Sequence, residues 1–223
     1  MTWDDFFKDV DRRRTKGVDV LPYPHPALRY PAVPVLRFGP ELRAAIRLMF
    51  EIMYERRGVG LAAPQIGLPL QFFVLNHTVK QKEGSHETDY DPKKEMVFIN
   101  PTVAVKESRG RPPKMVPEME GCLSILGLNR VVVRANTVTF KAKRSDGEDF
   151  KGEFNGLVAR ILQHEYDHLH GRLFVDALDE EQKSGVSGWL NYVCGHFEQS
   201  QKYGTFKSIE EEKAILKELE KLA

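Results

Sequence analysis

The sequence predicts an α+β fold, with antiparallel or mixed β-sheets packed around a central helix and further helices at both ends. Three observations carry this. Strand-like runs concentrate between residues 71 and 154, and helical apolar spacing lies before and after them. No internal repeat or linker divides the 223 residues, a length that suits one domain, so the chain reads as a single domain over 1–223.

The first 14 or so residues predict a short helix, with Trp3, Phe6, Phe7 and Val10 on one stripe. Pro22, Pro24, Pro26, Pro31 and Pro34 follow. Prolines at that density exclude a helix interior or a central strand, so an extended surface segment is expected. Pro40 opens a helix over about 40–57, with Leu42, Ile46, Met49 and Met53 at helical spacing and Gly58 ending it. Residues 71–76 read as a buried strand and 77–94 as a polar loop. Further strands are expected at 96–99, 102–107, 130–134, 136–143 and 148–154. Ser145-Asp146-Gly147 supplies a hairpin signal between the last two. A helix follows from about Gly156 to Gly171. Another covers roughly 179–200, with Trp189, Val193 and Phe197 four apart. A last one opens on Ser208 and Glu211, a capping-box pair, with Ile209, Glu212, Leu216, Leu219 and Leu222 on an incomplete apolar face.

Composition narrows the function classes. Lys plus Arg number 33 against 32 Asp plus Glu, so bulk charge argues for neither nucleic acid nor an acidic membrane surface. No stretch has the length and apolarity of a membrane span. Two cysteines, Cys122 and Cys194, make no disulfide framework and fit a reducing compartment. The acidic start resembles neither a secretory signal nor a transit peptide. A cytoplasmic location is therefore expected, or an organellar one if a transit segment has been trimmed.

The sharpest chemical signal is His164-Glu165-Tyr166-Asp167-His168. On a helix, residues four apart share a face, so two imidazoles can converge on one ion while the adjacent glutamate reaches a metal-bound water. The ion makes that water acidic, and Glu165 would move its proton. Leu157, Ile161 and Leu169 give this helix a buried side. His170 reads as a surface histidine. A catalytic metal needs a third protein ligand, and Cys122 is a candidate within Glu120-Gly121-Cys122-Leu123-Ser124, which follows an irregular stretch rich in proline. The plain alternative is a small buried thiol, the reading kept for Cys194. Gly58-Val59-Gly60-Leu61-Ala62-Ala63-Pro64-Gln65 superficially matches a dinucleotide fingerprint. It stands between a helix and a strand, the reverse of what that fold needs. Its small residues instead lay the backbone open to a ligand.

Taken together and in this order, the Gly58–Gln65, Glu120–Ser124 and Gln163–Gly171 segments resemble those of the peptide deformylases, over roughly 20–178. Phe98-Ile99-Asn100-Pro101 and Ala159-Arg160 are weaker matches. The resemblance implies removal of the formyl group from the N-terminal formylmethionine of newly made proteins, with release of formate. It implies Cys122, His164 and His168 as ligands of one divalent metal, iron(II) natively, with zinc, nickel or cobalt as further options. Glu165 would be the general acid/base. The side-chain amide of Gln65 and the backbone N–H of Leu123 would steady the oxyanion. Val59 and Gly60 would pair with an extended substrate, and Leu157, Ile161 and Val59 would line an apolar methionine pocket.

Residues 1–17 and about 179–223 extend past the shared pattern. Leu126 and Ala177 depart from it and bear on pocket shape. N-formylmethionyl nascent peptides are the expected partner, with the ribosome a further candidate and a monomer or homodimer the expected assembly. Two rivals remain at this stage. One is an H-E-x-x-H zinc peptidase, with Glu180 or Glu181 as third ligand. The other is a non-catalytic, ribosome-associated member.

Overall fold

The computed structural model describes residues 1–81, 88–106 and 112–223. Helix α1 spans Trp3–Arg14 and α2 spans Pro40–Glu55. Strands β1 (Gly60–Ala62), β2 (Phe72–Leu75), β3 (Lys80–Gln81), β4 (Thr88–Asp89), β5 (Met96–Val105), β6 (Met115–Cys122), β7 (Ile125–Ala135), β8 (Thr137–Lys143) and β9 (Asp149–Asn155) follow. Helices α3 (Gly156–Leu169), α4 (Glu180–Lys202) and α5 (Ile209–Leu219) complete the chain.

The main sheet has the order β1-β2-β5-β8-β9, with antiparallel neighbours throughout. Its logic shows in β2. Successive strand residues point to opposite faces. Phe72 and Val74 accordingly join Leu42, Met49 and Met53 of α2 in one apolar cluster. Phe73 and Leu75 join Phe98, Phe140, Ile161 and Leu162 on the α3 side. Both clusters are closed to water, so burying β2 on both faces fixes α2 and α3 against opposite sides of one sheet. A separate ribbon, β6 with β7, packs beside α3.

The terminal helices are capped as their residues direct. Thr2 and Asp5 form a reciprocal capping box at α1, and Ser208 and Glu211 form one at α5. Phe6, Val10, Leu219 and Leu222 enter the α2-side cluster, so the apolar face of α5 is covered by its own chain.

Five expectations need correction. The proline-rich segment lies on the surface only in part: Pro31 and Pro34 are exposed, but the residues between its first prolines turn inward. Leu21, His25, Ala27 and Leu28 are buried, and Pro26–Arg29 forms a 3-10 turn. The runs 96–99 and 102–107 form one strand, β5, joined by a bulge between Ile99 and Thr102 where Asn100 takes a positive φ; residue 107 lies outside the described residues. The stretch holding Pro117 is not irregular but forms β6. Among the described residues that strand has β7 as its single partner, the edge setting in which a proline is tolerated. Gly58 does not make the left-handed turn after α2. Arg57 does, with φ 57°. Of the predicted loop 77–94, residues 82–87 lie outside the described residues, and β3 pairs with β4 across them.

Candidate active site

Helix α3 buries Ala159, Ile161, Leu162 and Leu169 against the sheet. The same winding brings His164 and His168, one turn apart, to ring centroids separated by 5.1 Å. Their third companion comes from the ribbon. Leu123 and Ser124 make the turn from β6 to β7, with Cys122 paired to Ile125, and Tyr23 N–H donates to Ser124 O to hold it. Cys122 Sγ thereby sits 3.3 Å from His168 Nε2. The ligand atoms of Cys122, His164 and His168 all lie within 4.8 Å of one another. One thiolate and two imidazoles suit a divalent transition metal and leave coordination positions open for water and substrate. Glu180 and Glu181 take no part. They are exposed at the start of α4, where Glu180 pairs with Lys183 at 3.0 Å.

Three residues that sequence reasoning left without roles hold the ribbon to α3. Glu120 accepts from Arg134 Nε at 2.7 Å and from Arg160 Nη1 at 2.6 Å. Its second oxygen lies 3.1 Å from His164 Nδ1, which aims the other ring nitrogen at the metal position. Arg160 also donates to Val116 O and Val132 O, one carbonyl on each strand of the ribbon. Arg134 reaches Asp167 on α3 at 2.7 Å. Burial alone would raise the Glu120 carboxyl, but its bonds to His164 and Arg134 outweigh that and hold it down at about 2. Strand alternation gave no signal for Glu120, because the register shifts between Glu120 and Cys122.

The histidines differ in their protons. Burial opposes charge on His164, yet its bonds to Cys122 and Glu120 hold it up at about 10. Burial and the charge of His164 push His168 well below its usual range. A cation competes with protons for these lone pairs, so metal uptake here should release protons.

Glu165 is buried, and its Oε2 has no hydrogen-bond partner among the described residues. Burial pushes its carboxyl up to about 7 against the charge of His164. That value suits a group which must both take and return a proton near neutrality. The residue opposite is Gly60, where a Cβ would stand within 3 Å of the carboxylate carbon and closer still to Oε1. Glycine is needed there because the carboxylate fills the space of a side chain. Gly60→Ala is expected to lower kcat about 100-fold, the scale of a catalytic group displaced by an ångström. Steady-state kinetics on a formylated peptide would check this.

Gln65 sits in a 3-10 turn, Ala63–Ile66. Its Oε1 accepts from Ala62 N–H at 2.8 Å, which fixes the amide orientation. Nε2 therefore faces Cys122 Sγ at 3.6 Å and donates to Ser124 Oγ at 3.2 Å. Leu123 lies in the adjoining turn, its side chain against Gly58. A cavity of ≈ 360 Å³ opens over the metal position, with His164, Glu165 and Gln65 among its lining residues. Val59, Gly60, Ile161 and Leu157 line it too. Ile161 is a buried wall, whereas Leu157 is 58% exposed and belongs to the mouth. Nine of the ten residues singled out in the sequence thus line one cleft, and the tenth, His168, stands against Cys122 Sγ.

The polypeptide deformylase family model matches residues 18–184. The peptide deformylase of Acidobacterium capsulatum is 42% identical over 156 residues, covering 70% of this chain and 83% of that protein. That of Rhodopirellula baltica is 34% identical over 188 residues, covering 84% and 86%. The crystal structure of Arabidopsis thaliana peptide deformylase 1B in complex with an inhibitor superposes with a TM-score of 0.71 at 34% identity, covering 82% of this chain and 93% of that one.

Proposed function

This chain belongs to the polypeptide deformylase family, and from that premise we propose how its own residues carry out the reaction. It is a metal-dependent hydrolase that removes the formyl group from the N-terminal formylmethionine of new proteins and releases formate. The observation that carries the residue assignment is the convergence of Cys122, His164 and His168 beside a buried Glu165 whose Oε2 has no hydrogen-bond partner among the described residues.

In this reading Cys122, His164 and His168 hold the divalent ion. When bound, the ion acidifies a water and polarises the formyl oxygen. Glu165 takes the proton of the attacking water and delivers it to the departing amine. Two donors face the growing negative charge on oxygen: Gln65 Nε2, already turned toward the site by Ala62, and the Leu123 N–H. Each such donor can contribute about 3 to 4 kcal/mol. Val59 and Gly60 receive the extended peptide backbone. Ile161 walls the methionine pocket, and Leu157 closes its rim.

The native ion in this proposal is iron(II), with zinc, nickel and cobalt accepted by the same donors. The setting is the cytoplasm, consistent with the free thiols of Cys122 and Cys194. No helix among the described residues is long and apolar enough to cross a membrane. The substrate leaves the ribosome as a nascent chain, and the enzyme meets it there as a monomer or homodimer. Since α5 buries its leucines in its own core, a subunit contact would use another surface.

The deciding experiment is anaerobic purification with metal analysis and formate release from formyl-Met-Ala-Ser, for wild type and Cys122→Ser. The expected result is iron-supported turnover in the wild type, with loss of metal and activity in the variant. Metal and turnover that survive the substitution would overturn Cys122 as a ligand. Full activity with zinc alone would overturn the iron assignment.

A further inference from the structure

Soluble proteins rarely leave neighbouring apolar side chains uncovered over a wide area. The ribbon does so on its outer face. Its register sets Met119 opposite Val131 and Pro117 opposite Val133. Alternate strand residues share a face, so Met115, Pro117 and Met119 line up beside Val131 and Val133, all exposed. The inner face carries Glu120, Val132 and Arg134, all buried. At roughly 3.3 Å per residue, the strip from Met115 to Met119 runs about 13 Å, the span of about four extended residues.

The strip leads into the cleft. Met119 lines it together with Leu126 and Leu157, and these three side chains are 65%, 64% and 58% exposed. Met119 therefore belongs both to the strip and to the mouth of the cleft, where the exposed Asn129, next after Val131 on the same face, also stands.

We propose that this outer face docks the substrate polypeptide beyond its first three residues and favours chains that are apolar there. The proposal rests on the deformylase reading, because that reading places a polypeptide N-terminus in the cleft. Continuity identifies the occupant. A chain whose first residue lies beside His164 and Glu165 leaves through a rim of Met119, Leu126 and Leu157, and the ribbon face adjoins that rim. The strip offers only apolar side chains, so it rewards apolar ones. A strand face also suits an extended segment, whose alternate side chains match its spacing.

The test uses the metal-loaded enzyme and three substrates: formyl-Met-Ala-Ser, the same peptide extended by Leu-Val-Leu-Val, and the same extended by Ser-Gly-Ser-Gly. Wild type is compared with a triple variant, Met115→Thr, Val131→Thr and Val133→Thr, whose residues lie outside the cleft and whose threonines suit exposed strands. The apolar extension is expected to raise kcat/KM about tenfold over the polar one in wild type, the scale of a small apolar contact. The variant should show no such preference while matching wild type on the tripeptide. Equal kcat/KM for both extensions in wild type, or a preference retained in the variant, would overturn the proposal. So would a wild-type dimer that becomes monomeric in the variant, since the strip would then belong to a second copy. Wild type that binds metal yet releases no formate from the tripeptide would remove the deformylase reading itself.

Discussion

Glu165→Gln is expected to lower kcat on formyl-Met-Ala-Ser by about 100- to 10,000-fold, the range for loss of a positioned acid/base. Metal content should be unchanged, because the three ligating residues remain. The substitution keeps the shape that Gly60 accommodates and removes only the capacity to take a proton. The sign of its effect on stability separates lost chemistry from a lost fold. Burial raises the Glu165 carboxyl from 4.5 to about 7. Between those values the folded protein holds a proton that the unfolded chain releases, so stability falls as pH rises across that window. The neutral glutamine escapes this cost. The variant should therefore melt no earlier than wild type above pH 7 while being nearly inactive. On the same grounds, wild-type kcat/KM should fall on the acid side as Glu165 becomes protonated. Turnover within tenfold of wild type, with metal bound, would end the assignment of Glu165 as the acid/base.

What the sequence disclosed about this site follows distance along the chain. His164, Glu165 and His168 were legible because helical winding alone puts them together. Cys122 and Gln65 lie 42 and 99 positions before His164, and they became legible only through the segments that surround them. The network of Glu120, Arg134 and Arg160 was not legible. Its contacts join residues 14 to 44 apart and exist only once β6 pairs with β7 and the ribbon meets α3. Gly60 shows the same limit from the other side. Its small size suggested room for a ligand backbone, but the neighbour that demands glycine is Glu165, 105 positions away. In the fold, periodicity found the helices, capping residues found the start of α5, and Asp146-Gly147 found the β8–β9 hairpin. Proline misled twice. Neither the buried turn at Pro26 nor the edge strand at Pro117 can be told from a loop without knowing its partners.

Glu120→Ala is expected to cost about 3 to 5 kcal/mol at neutral pH, because it strips a buried charge cluster of its anion. Arg134 and Arg160 would remain, each nine-tenths buried or nearly so, with Asp167 and the half-exposed Glu118 as their remaining carboxylate partners. For a chain of this size each kcal/mol moves Tm by about 2 to 4 °C, so a fall of roughly 6 to 20 °C is expected in calorimetry. The ribbon loses its clamp to α3, and His164 Nδ1 loses the carboxylate that orients it. Metal affinity should therefore drop about 10- to 100-fold as well. A pH series distinguishes this from a simple packing defect. With its folded value held at about 2 against 4.5 in the free side chain, Glu120 contributes its full stabilisation above pH 4.5 and loses it as pH falls toward 2. The gap in stability between wild type and variant should therefore narrow across that window. A gap that stays constant from pH 7 to pH 3 would mean that Glu120 acts through its volume. The ion network would then not be what holds Cys122 to the two histidines.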